Sequence, residues 1–253
     1  MVKSSFLLTR PNYDQTTNYL FYWAELVLKS AKSKKILTFD LADDQANRKN
    51  FEKSLKKHKP TFIFLNGHGS ASSVTGNNGE ILLSFAKNEE LVKKKVVYAL
   101  SCQSAKRLGK SCVSSGCVSY LGYDEDFIFC FEEDKQNSPL DDKTAGYFLA
   151  PAVNLAVDTV EGKTTGEAFE NSQESFKQNI VKFSLSDSTP EERELLPYLV
   201  WDFQHQVCLG DQKAKCEFIL EEEYRKQNIK KLIIIGAVIV FLALVLVLFK
   251  LKG

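Results

Sequence analysis

Two strand-like segments of the chain end in side chains that could do chemistry together. Residues 62–69 run through apolar side chains into the pair His68-Gly69, and residues 96–102 run in the same way into Cys102. If the two runs are neighbouring strands of a parallel sheet, the imidazole and the thiol emerge at the same carboxyl edge. This layout is typical of a hydrolase with a cysteine nucleophile.

The chemistry expected of this pair is acyl transfer. A cysteine attacks as the thiolate and needs a nearby base, and His68 can accept the thiol proton and later protonate a leaving amine. The tetrahedral intermediate also needs hydrogen-bond donors for its oxyanion. We expect these to be the backbone N–H groups of Gly69 and Cys102, because glycine lets a substrate approach closely.

His68 and Cys102 can each also be interpreted as residues without a catalytic role. A single histidine after a strand is usually a polar surface residue, and a single cysteine at a strand end is usually packed and inert. The combination of two apolar strands, one ending in His68-Gly69 and the other in Cys102, favours the catalytic interpretation. No such apolar strand precedes the other two histidines, which are His58 in a lysine-rich helix and His205 beside Trp201.

Strand-like and helix-like segments alternate along the first two thirds of the chain. Strands are predicted over residues 6–9, 35–39, 61–65 and 96–100, with a helix capped by Asp14 or Thr16 after the first and a charged helix capped by Asp43 after the second. Such a βαβαβ order predicts an α/β fold with a mostly parallel sheet flanked by helices. Residues 73–83 read as a β-hairpin with an Asn-Gly turn.

The later segments extend this pattern. A fifth strand is predicted over residues 116–123 and a sixth over residues 126–132. Helices are predicted near residues 142–160 and 165–183 and from about residue 186 towards Trp201, and residues 209–211 read as a turn.

Composition and charge exclude some function classes. The 253-residue chain has a net charge of +1, which argues against a nucleic-acid partner. No Walker loop or GxGxxG motif is present, so a nucleotide site is not favoured. The six cysteines show no repeated CxxC pair and fit free thiols in a reducing cytosol. A redox or metal role for Cys112 and Cys117 is left open, but neither a metal site nor a cofactor is predicted.

The carboxyl terminus carries an uncharged apolar run, residues 232–249, with basic residues on both sides. At 1.5 Å per residue this run reaches about 27 Å, close to the thickness of a bilayer's hydrocarbon core. We interpret it as a single-pass tail anchor that leaves the preceding domain facing the cytoplasm. The predicted organisation is a domain over residues 1–220, a polar stalk over 221–231, a transmembrane helix over 232–249 and a short tail over 250–253.

These residues resemble a known family. Strand–His68-Gly69 followed by strand–Ser101-Cys102-Gln103-Ser104 is similar to the caspase-like cysteine peptidases, which include caspases, gingipains, separases and CHAT domains. Residues 162–169 resemble a helix start found downstream in the CHAT and gingipain branches, and residues 208–211 resemble their late Gly-Asp turn. The resemblance covers roughly residues 5–220.

The resemblance implies a caspase-hemoglobinase fold, with His68 and Cys102 as the catalytic dyad and Gly69 in the oxyanion hole. It also implies that residues 122–126, which follow the strand after the nucleophile strand, form a wall of the pocket for the substrate side chain. A carboxylate at Asp124 would there favour lysine or arginine through a charge-assisted contact, although the same segment also reads as an acidic surface turn. Many CHAT proteins have alanine before the cysteine and glycine two residues after it, where this chain has Ser101 and Ser104.

The main prediction is a membrane-anchored, caspase-like cysteine endopeptidase acting on protein or peptide substrates. Self-association on the membrane would raise the local concentration and is left open. One alternative is a catalytically inactive scaffold tethered to the membrane. Another is a ligand-sensing α/β domain in which Cys102 and His68 line a pocket.

Overall fold

The computed structural model describes residues 4–230 and 234–235, and most of its helices pack on a six-stranded sheet in the order β2-β1-β3-β7-β8-β9. The first five strands in this order are parallel, and β9 is antiparallel to β8. The predicted α/β class with a mostly parallel sheet is therefore confirmed. The strands are β1 Phe6–Arg10, β2 Thr38–Ala42, β3 Phe62–Asn66, β4 Gly69–Ser70, β5 Ser73–Thr75, β6 Ile81–Ser84, β7 Val96–Leu100, β8 Ser119–Tyr123 and β9 Gln206–Gly210.

The central strands are mostly apolar because helices cover both faces of the sheet. Every residue of β1, β3, β7 and β8 is buried, whereas the edge strand β2 is partly exposed. The helices are α1 Gln15–Trp23, α2 Glu25–Ser33, α3 Arg48–His58, α4 Lys110–Ser114, α5 Lys143–Glu161, α6 Thr165–Ser184 and α7 Pro190–His205.

Each face of the sheet has its own hydrophobic core. On one face Phe64 and Tyr98 stack and pack with side chains of α1, α2, α5 and α6. On the other face Ile63 and Val97 pack with side chains of α3 and α4. Alternate residues of β3 and β7 thus belong to opposite cores, which fixes the register of the two strands that lead into the candidate residues.

The predicted hairpin after His68 is present and has a third strand. β5 and β6 are joined through a short 3-10 turn over Asn77–Gly79, and β4 pairs antiparallel with β5. This small sheet leaves the main sheet immediately after His68. It therefore holds Gly69 in an extended conformation beside the end of β7.

Three sequence-based assignments differ from the structure. Residues 126–132 form no strand; this segment is irregular and is held by hydrogen bonds to other elements, such as that from Ile128 N–H to the Asp202 carboxylate at 2.9 Å. The predicted turn at residues 209–211 instead begins inside β9, which pairs with β8 from Gln206 to Gly210. Asp43 also does not cap α3, because Asn47 does so after a short 3-10 turn.

The predicted stalk is helical over residues 221–230. The predicted transmembrane helix, residues 232–249, lies outside the described residues except for Ile234 and Ile235, which are exposed. Within residues 4–230 and 234–235, no helix combines the length and the apolar character that a membrane crossing requires.

Candidate functional site

The strand order creates a crevice at the carboxyl edge of the sheet. The chain goes from β1 outward to β2 and then crosses back to β3, so the direction of winding reverses between the neighbours β1 and β3. Ligand sites of open α/β sheets lie outside the carboxyl ends of strands at such a point. The loop after β1 carries Asp14, and the segment after β3 carries His68. A shallow groove of about 400 Å³ opens beside Asp14 and is lined mainly by amide side chains such as Asn12, Asn18 and Asn137.

The imidazole of His68 is oriented by Asp14. Its Nε2 lies 2.6 Å from Asp14 Oδ2, and 42% of the His68 side chain is exposed. The Asp14 carboxylate is itself fixed, because it caps α1 by accepting a hydrogen bond from Thr17 N–H at 2.8 Å. With Nε2 donating to Asp14, Nδ1 carries the lone pair and is the ring atom that can accept a proton.

The pKa of Asp14 supports this arrangement. Partial burial opposes ionisation, but hydrogen bonds from Thr17 N–H, His68 and the Thr17 hydroxyl outweigh it and lower the pKa of this carboxyl below its usual value. Asp14 is therefore a carboxylate at neutral pH. A charged acceptor at Nε2 favours the tautomer that leaves Nδ1 free.

Close backbone contacts bring the segments after β3 and β7 together. Asn66 and Leu100 pair at the last register position of the two strands, and Ser101 Oγ donates to Gly67 O at 2.8 Å. Gly69 packs so tightly on Cys102 that a Cβ atom there would lie 2.5 Å from Cys102 O. Gly67 has a φ of +140° and also lacks room for a side chain. The geometry thus requires glycine on both sides of His68.

Two backbone N–H groups at this junction are not used by the strand ladders. Thr75 N–H donates to His68 O, so Gly69 and Val74 form a non-hydrogen-bonded pair and the Gly69 N–H points away from the hairpin. The N–H of Cys102 has no backbone acceptor within the described part of the chain. Both groups therefore lack a backbone acceptor among the described residues.

The environment of the Cys102 thiol disfavours its ionisation. It is half-buried and donates a long hydrogen bond, 3.8 Å, to Phe127 O in the irregular segment after β8. Burial raises the pKa of the Cys102 thiol, and the nearby acidic groups of Asp126 and Asp202 raise it further. Within the described residues the structure thus brings the backbones of His68 and Cys102 together, but their side chains hydrogen-bond to other partners, Asp14 and Phe127 O.

The turn that follows Cys102 is held to the same irregular segment. Gln103 has a φ of +56°, an uncommon conformation for a residue with a side chain. Its N–H donates to Glu125 O at 2.9 Å and its side-chain amide donates to Asp126 Oδ1 at 3.0 Å. Lys106 pairs with the Glu125 carboxylate at 2.5 Å. These contacts fix residues 124–130 against the nucleophile turn.

Asp124, the predicted substrate-binding carboxylate, has a partner in this structure. Its Oδ1 lies 2.9 Å from His205 Nδ1, and its N–H donates to His205 O at 3.0 Å. His205 in turn lies against the ring of Trp201, with 4.3 Å between ring centroids. Asp124 therefore joins β8 to the end of α7.

Two carboxylates near the candidate pair were not assigned to a site from the sequence. Asp14 was predicted as a helix cap, and its second contact, to His68, depends on β1 lying beside β3. Asp202 was not singled out, although it lies three residues after the buried Leu199 in α7, a spacing that places both on one helix face. The sequence signal that could have identified Asp202 is a charged residue on the buried face of a helix.

The other five cysteines lie outside the turn that follows β7. All six cysteines are free. Cys112 and Cys117 are buried; burial raises the pKa of both thiols, that of Cys117 to about 12. Within residues 4–230 and 234–235, no group of three or more histidine, cysteine or acidic side chains is arranged to hold a metal ion.

Comparison with known proteins adds no assignment. The chain matches no model of a known protein family and no curated protein.

Proposed function

We propose that the protein is a cysteine endopeptidase of the caspase-like type, with Cys102 as nucleophile and His68 as base. The observation that carries the proposal is the contact between the segments after β3 and β7, where Gly69 packs directly on the backbone of Cys102. This contact puts a thiol, an oriented imidazole and two free N–H groups at one edge of the sheet. Those are the groups that acyl transfer by a thiol requires.

The acylation step follows from these roles. The thiol proton of Cys102 passes to Nδ1 of His68, and the sulfur attacks the carbonyl carbon of the scissile peptide bond. The N–H groups of Gly69 and Cys102 bind the resulting oxyanion. The intermediate collapses when the carbon–nitrogen bond breaks and the imidazolium gives its proton to the leaving amine. Asp14 holds the ring in place and balances its charge.

Deacylation uses the same groups. Water attacks the thioester carbon and gives a proton to His68, and a second tetrahedral oxyanion forms in the same N–H pair. Collapse of this intermediate breaks the carbon–sulfur bond. The proton on His68 returns to the sulfur, which releases a carboxylic acid product and restores the thiol.

The environment of the Cys102 thiol favours a second candidate function. Cys102 donates to Phe127 O, and both burial and the nearby carboxylates raise its pKa. A protein that keeps its thiol neutral in this way could serve as an inactive binding module. In either case we propose that residues 232–249 tether the domain to a membrane with the domain in the cytoplasm, so that its targets lie near that surface.

Labelling with a peptidyl acyloxymethyl ketone separates the two functions. This electrophile reacts with a thiolate whose neighbours can bind a peptide and protonate the departing group. The peptidase proposal predicts one modified residue, Cys102, in the intact protein, with labelling lost in Cys102→Ala and retained in Cys112→Ala and Cys208→Ala. Absence of labelling in the folded wild-type protein would favour the binding module.

A further inference from the structure

A row of lysines lines the amino edge of the main sheet, opposite the candidate site. The parallel strands β2, β1, β3 and β7 begin in register, and two exposed lysines lie shortly before each of β2, β3 and β7. Since neighbouring strands are about 4.8 Å apart, these four strand starts extend over about 15 Å. The six residues, here called the lysine row, are Lys34, Lys35, Lys57, Lys59, Lys93 and Lys94.

Three members of the lysine row have a backbone conformation that favours glycine. The φ angles of Lys35, Lys59 and Lys94 are +55°, +48° and +61°. Residues with a side chain seldom adopt this left-handed region, and where a helix ends in it the residue is usually glycine or asparagine. Turn geometry therefore does not explain why lysine stands at all three positions.

The positive charges of the lysine row have no ionic partner in the part of the chain that the structure describes. None of the six ammonium groups forms an ion pair with a described residue. Burial lowers the pKa of the adjacent Lys95, and the positive charge of Lys59 lowers it further. Like charges this close together repel, so the row is suited to a ligand with several negative charges.

The chain leaves the folded domain at the same edge. After β9, residues 217–220 run along the amino edge and hydrogen-bond to Ser4. The stalk helix over residues 221–230 then starts beside the lysine row, because Glu221 N–H donates to Lys35 O at 2.9 Å. The stalk adds three exposed cations, which are Arg225, Lys226 and Lys230.

Acidic residues lie near the lysine row but are fewer than its cations. They are Glu90, Glu217, Glu221, Glu222 and Glu223. Of these, Glu222 is paired with Lys226 of the stalk at 2.6 Å. The lysine row and the stalk together therefore form a positively charged surface.

We propose that this surface, the lysine row with the stalk cations, docks the domain on a membrane that is rich in anionic phospholipid headgroups. Basic segments next to a membrane anchor are attracted to such headgroups. A membrane is the occupant because the chain leaves the domain here and continues into the apolar run at residues 232–249. That choice rests on the tether in the proposed function and adds to it a lipid preference and an orientation.

Docking in this way directs the candidate site away from the lipid. His68 and Cys102 follow the carboxyl ends of β3 and β7, and each of these strands has five residues. At about 3.3 Å per residue, the two edges of the sheet are about 17 Å apart. A polypeptide would therefore reach the candidate site from the aqueous phase. The acidic residues 124–126 lie at this far edge, where the negative charge of the lipid does not repel them.

Acetylation of lysines in the full-length protein tests the surface. The protein is reconstituted into vesicles of phosphatidylcholine alone or of equal parts phosphatidylcholine and phosphatidylserine, and an uncharged acetylating reagent is used with mass spectrometry as the readout. We expect Lys34, Lys57 and Lys93 to react about fivefold more slowly on the anionic vesicles, as the attraction per lysine implies. Lys106, which follows β7 at the carboxyl edge, should react equally on both. High salt should remove the difference.

Two triple variants locate the effect. Lys35→Asn, Lys59→Asn and Lys94→Asn together remove three charges at positions where asparagine tolerates the left-handed backbone, so this variant should fold as well as the wild type. The remaining lysines of the row should then react nearly equally on the two kinds of vesicle. The matched variant with arginine at the same three positions should keep the wild-type difference.

The outcomes separate this surface from the tether and from the peptidase. Equal reactivity of the lysine row on both kinds of vesicle would overturn the surface. Loss of the protein from neutral vesicles would contradict the tether alone, and slower reaction of the row with added anionic vesicles would still support the surface. Protection by a single-stranded oligonucleotide but not by anionic vesicles would overturn the membrane as the partner. The result does not depend on the activity of Cys102.

Discussion

The two halves of the candidate site differ in how far they are prepared for chemistry. On the β3 side, the imidazole of His68 is partly exposed and oriented by a carboxylate that is itself fixed as a helix cap. On the β7 side, the thiol of Cys102 is half-buried, bound to Phe127 O and close to two acidic side chains. The base is thus positioned for proton transfer, whereas the environment of the nucleophile favours the neutral thiol.

This difference indicates where control of the site would lie. Three consecutive residues, Asp126, Phe127 and Ile128, contact the nucleophile turn or Asp202. The His68 side chain, by contrast, is 42% exposed. A ligand that moves residues 126–128 or neutralises the nearby acidic groups would change the pKa of the Cys102 thiol. It would leave the position of the His68 imidazole unchanged. The predictions below test each half separately.

Removal of the nucleophile should have the largest effect. Cys102→Ala should lower the rate of peptide cleavage by about 1000-fold or more, because no other group can form the acyl intermediate. Cleavage rates from purified protein, measured with a mixture of short peptides, give the comparison. Cys208→Ala is the control, since Cys208 is also half-buried but lies in β9. Equal loss in both variants would show that the effect is structural.

The contact between the two halves should be the next most sensitive feature. Gly69→Ala places a Cβ atom 2.5 Å from Cys102 O and 2.8 Å from Ser101 Cβ. We expect a loss of about 1–3 kcal/mol of unfolding free energy from overpacking, and a loss of cleavage because the oxyanion donors move.

The matched control for this glycine is Gly146→Ala in α5. A Cβ atom there meets Trp23 at 3.5 Å, an ordinary contact, so this variant should be as stable as the wild type or more stable. Denaturant unfolding of both variants measures the difference. A Gly69→Ala protein with wild-type stability and activity would show that the two halves are not in tight contact.

Asp14 should have a smaller effect that is specific to the imidazole. Asp14→Asn keeps a good helix cap but removes the charge beside Nε2, so we expect cleavage to fall about tenfold with little change in stability. Asp14→Ala should in addition cost about 1 kcal/mol of unfolding free energy through the lost cap.

The pH profile separates these two effects of Asp14. The pKa of Asp14 is lowered in the folded protein, so its contribution to stability is complete above the ordinary pKa of an aspartate and is lost as the pH falls through the lowered value. Acid unfolding of Asp14→Asn should lack this dependence. Identical acid unfolding of the variant and the wild type would contradict the lowered pKa of Asp14.

The smallest effect is expected at the hydrogen bond between the strand ends. Ser101→Ala removes the bond from Ser101 Oγ to Gly67 O and leaves a buried carbonyl with one partner fewer. We expect a loss of about 1 kcal/mol of unfolding free energy and a change in cleavage of less than about threefold. Thermal unfolding provides the measurement. A loss of activity like that of Cys102→Ala would give Ser101 a chemical role that the account does not include.

The sequence predicted the part of this site that depends on local pattern. Apolar runs of strand length identified β3 and β7, and the alternation of strands and helices predicted that they are parallel. His68 and Cys102 follow these runs directly, so their position at one sheet edge could be predicted. Whether they act as a dyad stays a prediction.

The remaining features depend on contacts between distant segments. Residues 126–132 are apolar and aromatic enough to read as a strand, but they form no ladder, and Ile128 bonds to α7 instead. Residues 209–211 were read as a turn because Gly210 is followed by Asp211, whereas Leu209 and Gly210 end β9, whose pairing partner β8 lies about 90 residues earlier in the chain. The proximity of Asp202 to Cys102 likewise depends on how α7 packs, which no local pattern encodes.

The central claim is that the imidazole of His68 takes the proton of Cys102, and the reactivity of this thiol against pH tests it most directly. The rate of Cys102 alkylation by iodoacetamide, followed by mass spectrometry of the intact protein, is compared in the wild type and in His68→Asn. The account predicts that the variant reacts about tenfold more slowly near pH 7 and that its curve moves to higher pH, because burial and two carboxylates then act on the thiol without a base. Superimposable curves for the two proteins would contradict the dyad.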